Sequence, residues 1–233
     1  MVIDLTLPGA VAPFRVLVVS DRSTCRGPAA QRLLAAHLRA GGWDGDVVVG
    51  AAGVGARAGD ALHPDTARAL TELDVDAGGH VARRLTERRV VQADLLLAVA
   101  RRQVRHVAAA RPDAVSRTFG LQEFTRLAAL LGPDEGAERH AGEAATGADR
   151  VASLDALRTA PGAPDRDLDL DLGDRDLDDP AGGGYADHRR MVRVLDGLTL
   201  QVAQVLTAWV PGEPAPGAAP PGADEPAAEP STA

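Results

Sequence analysis

Cysteine is almost absent from this chain of 233 residues, which has one, Cys25. An internal disulfide and any multi-cysteine metal site are thereby excluded, and a cytoplasmic location is expected. Basic charge is also scarce. With 25 Lys and Arg against 33 Asp and Glu, the formal net charge is −8. That is opposite to the clustered positive footprint of a nucleic-acid binder, so no nucleic-acid partner is expected. No apolar run approaches the roughly 20 residues needed to span a bilayer, and the first residues lack the basic and apolar regions of a signal peptide. No membrane partner is expected. The six His residues are scattered without HExxH-like spacing, so neither a metal nor a cofactor is expected.

What the chain does contain is alternation. Short apolar runs at Arg15–Val19, Asp46–Gly50, Asp94–Val99 and Val115–Phe119 read as strands. Between and after them, Pro28–Arg39, Pro64–Leu73, Arg101–Ala110 and Leu121–Leu131 read as helices, the first two with Pro at the favoured first position. This β-α repetition predicts an α/β three-layer sandwich: a four-stranded parallel sheet flanked by helices. A last helix is marked by Met191, Val194, Leu195, Leu198, Val202, Val205, Leu206 and Trp209 at helical spacing. One domain over residues 14–210 is expected, after an N-terminal extension over 1–13. Residues 133–149 and 161–179 read as mobile insertions, with Leu168–Leu172 in a solvated acidic loop. Residues 211–233, almost wholly Pro, Ala, Gly and acidic, read as a disordered tail.

The run FRVLVVSDRSTCRGP, Phe14 to Pro28, carries the chemistry. A strand ends in a small hydroxyl side chain, Arg follows six residues later, and Pro28 opens a helix. A loop that leaves a strand and enters a helix aims several backbone N–H groups at one point, where the helix dipole adds partial positive charge. That geometry suits a phosphate dianion, and the planar fork of Arg26 can grip two of its oxygens. The run resembles the phosphate-binding loop of the low-molecular-weight protein tyrosine phosphatases, a strand followed by C-x5-R-S-P with a second Cys directly before the Arg. Cys25, Arg26 and Pro28 keep their places; Ser20 stands where the nucleophilic Cys would be.

The resemblance implies that phosphate, another oxyanion or a phosphotyrosine-bearing ligand binds the amides of Asp21, Arg22, Ser23, Thr24, Cys25 and Arg26 together with the Arg26 side chain. No protein partner is indicated. It also implies that Ser20 has lost the family's chemistry, because a hydroxyl needs a base or a metal to become a nucleophile whereas a thiol near pKa ~8.5 does not. Arg22, Ser23 and Gly27 replace the family's Gly, Asn and Ser, so the divergence extends beyond one atom. Arg22 either adds a cation or obstructs entry. Cys25 reads as a small buried hydrophobe, and the family's redox pairing of two cysteines is absent.

The likeness extends along the chain. VVVGAAGVGA resembles the family's S-A-G-T turn, with Ala51 and Val54 at the hydroxyl positions, and the next segment carries His80, Ala82, Arg83 and Leu85 in its His-x-Ala-Arg-x-Leu pattern. ADLLLAVARRQVRHVAAARP and RTFGLQEFTRL continue it. DDPAGGGYADHRRMVRVLD resembles the loop bearing the family's general acid, which makes Asp179 the matching residue, either facing the pocket or merely turning the chain before Pro180. His80 reads as a cap or packed polar residue, and the Arg101, Arg102, Arg105 and His106 cluster as a solvated face. The expected function is phosphate binding with impaired turnover, a pseudophosphatase. Its rivals are an active phosphomonoesterase and an interaction scaffold with a vestigial site.

Overall fold

The computed structural model describes residues 12–43, 45–131, 146–160 and 177–209. Four parallel strands, β1 (Phe14–Ser20), β2 (Val47–Gly53), β3 (Leu95–Ala98) and β4 (Thr118–Gly120), lie in the order β2-β1-β3-β4. Successive side chains of a strand point to opposite faces, and both faces here are covered. Val16, Val18, Leu95 and Leu97 enter the larger core, while Leu17, Val19 and Leu96 enter a smaller one on the other face. This is the expected three-layer α/β sandwich.

The larger core is closed by α1 (Arg26–Ala40), α5 (Leu121–Leu131) and the 25-residue α7 (Tyr185–Trp209). α2 (Pro64–Thr71) and α6 (Gly147–Thr159) pack at its margin. The smaller core takes Val90 from α3 (Glu87–Val91), Val107 from α4 (Arg101–Ala110) and Ala114 from the 3₁₀ turn at Pro112–Arg117. No helix among the described residues is long and apolar enough to cross a membrane.

β1 is central: its first crossover, through α1, runs to β2 on one side, and the next strand in sequence, β3, lies on the other. Such a reversal opens a crevice at the carboxyl end of the sheet, where ligands of α/β proteins bind. The registers Ser20 to Gly53 and Val19 to Ala98 bring the ends of all three strands together there.

Several elements differ from expectation. α1 starts at Arg26, not Pro28; Pro is tolerated in a first turn because its missing N–H would have had no intrahelical partner. β4 starts at Thr118 because Pro112–Arg117 winds into the 3₁₀ turn, where Arg117 Nη1 donates to the Asp113 carbonyl at 3.2 Å. α3 and α6 were not anticipated. α6 opens on a reciprocal capping box between Thr146 and Asp149, so residues 147–149 belong to a helix rather than to the expected insertion. On α7, Val194 faces outward at 43 % exposure, while His188, Val192, Thr199 and Ala203 turn inward. Residues 1–11 of the expected N-terminal extension, the acidic loop at Leu168–Leu172, residues 133–145 and 161–176 of the two expected insertions and the tail over 211–233 lie outside the described residues.

Leu195, completely buried on α7, anchors that helix to the larger core. Leu195→Ala is expected to lower unfolding stability by about 2–5 kcal/mol through lost transfer energy and the cavity left behind, measured by urea denaturation.

Candidate functional site

The segment from Ser20 to Arg26 is held by its carbonyls. Ser20 O accepts from Val54 N at 2.9 Å, Asp21 O from Gly55 N at 2.9 Å, Thr24 O from His63 N at 2.9 Å and Cys25 O from Ala29 N at 3.0 Å. His80 Nε2 donates to Ser23 O at 2.7 Å. In a planar trans peptide the C=O and the following N–H point in opposite directions, and no peptide bond here is cis. Tying five carbonyls to the framework therefore turns the N–H groups of Asp21, Arg22, Thr24, Cys25 and Arg26 the other way, and the loop becomes a nest of donors. α1 extends this set, because no side chain caps its N-terminus and its first turn holds no acidic residue.

Two positions explain how the chain follows this path. Ser23 has φ of 57°, a left-handed conformation costly for a non-glycine residue. The His80 bond to its carbonyl helps fix it, so His80 is a brace for the loop, the packed polar residue of the sequence reading with a definite partner. Gly53 lies directly beneath. A Cβ there would stand 2.4 Å from Asp21 O and 2.9 Å from Ser23 N, both backbone atoms that cannot yield cheaply.

Ser20 ends β1 almost completely buried, and its Oγ has no hydrogen-bond partner. A Cβ on Gly27 would sit 2.3 Å from that Oγ. The Ser20 rotamer and the glycine after Arg26 are thus matched to each other. Cys25 is buried, and burial pushes its thiol pKa up, the opposite of a reactive thiolate. Arg22 is exposed on the rim of the loop.

Arg26 is 4 % exposed, a buried cation that needs partners. Its Nη1 donates to Leu177 O at 2.6 Å, and its Nη2 to Asp179 Oδ2 at 2.6 Å and Asp21 Oδ2 at 3.3 Å. Asp179 therefore lies beside the loop, its other oxygen accepting from Ala181 N at 3.2 Å across Pro180. Asp21 is gripped from the far side as well. Gln103 Nε2 donates to its Oδ1 at 2.5 Å, and Arg102 Nε to both its oxygens at 3.1 and 3.0 Å. Hydrogen bonding from Arg102 leads the causes that hold the Asp21 carboxyl below its ordinary range, against the opposing effect of burial.

Arg102 and Gln103 thus belong to the site; Arg102 lies on the solvated face expected for the Arg cluster, half exposed, and reaches Asp21 from there. No local motif marks these two residues. Only the placement of β3 beside β1 carries the start of α4 to the loop. The cavity within the loop is about 20 Å³, lined by Ser20 to Arg26, Asp179 and Ala181, room for a water or two.

A strand-loop-helix nest of amide donors closed by a buried Arg, at a switch point of a parallel sheet, defines the class of site. The family profile described as low molecular weight phosphotyrosine protein phosphatase matches residues 15–135, and the chain belongs to that family. It is 33 % identical over 112 residues to a "probable low molecular weight protein-tyrosine-phosphatase EpsP" of Ralstonia solanacearum, covering 48 % of this chain and 73 % of that one. Among solved structures, one similar in fold is a YwlE arginine phosphatase variant, Cys replaced by Ser, with a phosphorylated active-site serine. It has TM-score 0.59 and 23 % identity, over 83 % of this chain and 96 % of that one. Another is Vibrio vulnificus Wzb in complex with benzylphosphonate, with TM-score 0.56 and 17 % identity, over 82 % and 97 %.

Two measurements probe how the loop is held. Gly53→Ala is expected to cost about 1–3 kcal/mol in chemical denaturation, because the added methyl must displace loop backbone. Burial depresses the pKa of His80, so the unfolded chain takes up this proton more readily than the folded one. Stability from this residue is complete above pH about 6.5 and is lost as pH falls below it. His188, also depressed by burial, adds to the same trend. His80→Gln is expected to flatten the fall of melting temperature between pH 7 and 5.

Proposed function

We propose that this protein binds phosphate or a phosphorylated ligand in the Ser20–Arg26 loop and turns it over poorly, a pseudophosphatase acting in the cytoplasm. The observation that carries the reading is the buried Ser20 Oγ, which has no hydrogen-bond partner and hence no base to take its proton. Asp21, the adjacent carboxylate, is a poor candidate for that base. Its oxygens are occupied by Arg102, Gln103 and Arg26, and its depressed pKa weakens its hold on a proton. The loop amides, the open end of α1 and the Arg26 guanidinium remain suited to a tetrahedral oxyanion.

Binding has a cost in this reading. Asp179 and Asp21 both sit on Arg26, so an incoming phosphate must displace at least the Asp179 carboxylate, which is 44 % exposed and has solvent on its outer side. Once displaced, Asp179 is placed to give a proton to a leaving oxygen, the role implied by the family motif. Asp21, clamped on two further side chains, stays. Its charge then opposes the phosphate dianion and limits affinity.

A second reading is favoured by the phosphorylated serine of the YwlE variant. Here Ser20 accepts a phosphoryl group once. The Oγ–P bond forms as the bond from phosphorus to the leaving oxygen breaks, and the hydroxyl proton ends on that oxygen. The phosphoserine then persists for want of an activated water. Intact mass after incubation with an aryl phosphate separates the two readings: no adduct under the first, a stoichiometric gain of one phosphoryl group under the second.

Inorganic phosphate is expected to bind the wild type in calorimetry, with Arg26→Ala abolishing the signal. Asp21→Asn is expected to tighten it by about tenfold, the effect of removing a near charge worth on the order of 1.4 kcal/mol. Aryl-phosphate hydrolysis by the wild type is expected at background. It should rise in the double variant Ser20→Cys, Gly27→Ser. Efficient wild-type turnover dependent on Cys25 would overturn the proposal.

A further inference from the structure

Behind the phosphate loop, three side chains with metal-binding atoms converge from two helices. His63 caps α2, Asp65 is the second residue of that helix, and His188 lies in the first turn of α7. One ligand atom from each lies within 4.8 Å of the others. His188 is completely buried, yet its Nε2 has no hydrogen-bond partner. Its Nδ1 is held at 2.8 Å by Thr66 Oγ1, and its ring stacks on that of His63 at 4.2 Å between centroids.

A buried imidazole nitrogen without a partner is a standing cost, and an apolar side chain in its place would avoid it. Its presence calls for an explanation beyond packing. Imidazole ligates through a ring lone pair, and the Nε2 of His188 is not committed to any other partner. The Thr66 hydroxyl on the opposite ring nitrogen is the kind of partner that orients a metal-ligating histidine. Asp65 supplies negative charge. His63 and Asp65 are partly exposed, which gives an ion a path from solvent.

We propose that His63, Asp65 and His188 form a binding site for a divalent transition ion of the zinc class, tying α2 to α7 beneath the phosphate loop. Two imidazoles and one carboxylate match the donors zinc takes at about 2.0–2.2 Å, whereas calcium and magnesium need more oxygens. Tetrahedral ligands around such an ion stand about 3.3 Å apart, so the three groups must draw together. His63 and Asp65 supply that movement. The His63 Nδ1 lone pair, now accepting a long 3.3 Å bond from Asp65 N, is exchanged for the ion, and the two rings splay from their stack because each lone pair lies in its ring plane.

Occupancy of this site reaches the loop. The His63 N–H holds Thr24 O at 2.9 Å, and Thr66 stands between His188 and the Cys25 thiol. An ion that fixes His63 and His188 therefore stiffens the loop's anchor without entering its cavity.

Chelator-treated full-length protein titrated with zinc in a calorimeter is expected to bind one ion saturably at micromolar or lower concentration, with a rise in melting temperature. Cobalt is expected to give the visible absorption of a tetrahedral site. His188→Gln risks the fold, so the partly exposed ligands carry the comparison: His63→Ala and Asp65→Asn should each weaken zinc by about tenfold or more. His37→Ala, which removes the separate surface pair with Asp196, should leave it unchanged. Absence of saturable binding, or wild-type affinity in both ligand variants, would overturn the site. So would loss of binding with His37→Ala alone. None of these readouts involves phosphate, so the site and the proposed function stand or fall separately.

Discussion

The structure around the crevice is organised by one buried cation. Arg26 emerges at the start of α1, nearly out of reach of water, and a guanidinium in that position must be met by acceptors or the fold forfeits several kcal/mol. It is met by Leu177 O and Asp179 from the approach to α7, and by Asp21 from its own loop. The chain before α7 is thereby drawn across the end of the sheet. Residues 153 positions apart in sequence become neighbours, and the loop, the Asp179 turn and α7 become one assembly.

The same charge balance bears on chemistry. A phosphate cradle works by holding cationic and amide donors ready for an anion, and here carboxylates already occupy the cation. One of them, Asp179, pairs with Arg26 at 2.6 Å but is 44 % exposed. The other, Asp21, is fixed by Arg102 and Gln103, so the loop carries its own resident anion. The proposed function, binding under competition with poor turnover, rests on this serine without a base beside such a loop. A Cβ on Gly27 would meet the Ser20 side chain as it stands, so these two positions constrain each other.

Much of this was legible in the chain. The apolar runs and Pro-opened helices predict the parallel sheet and its layers, because strand and helix periods are local properties of the backbone. The motif from Ser20 to Pro28 predicts the amide nest for the same reason. The failures were where local pattern competes with long-range packing. The first residues of the strand expected at Val115–Phe119 wind instead into the 3₁₀ turn at Pro112–Arg117, with Ala114 packed into the smaller core. The stripe on α7 holds at seven of its eight positions, but Val194 faces solvent and His188 is buried, because the helix is oriented by what it covers.

The sequence by itself determined the family, the order of the strands and a strand-loop-helix turn ending in Arg26, since each follows from neighbours along the chain, whereas the partners that tie the loop's carbonyls, Val54, Gly55, His63 and His80, come from elsewhere in the fold. Only the tertiary structure decided that Asp21 and Asp179 share Arg26, that Arg102 and Gln103 serve the loop, and that His63 and His188 meet. Those pairings join segments far apart in sequence, and charge and burial act through space.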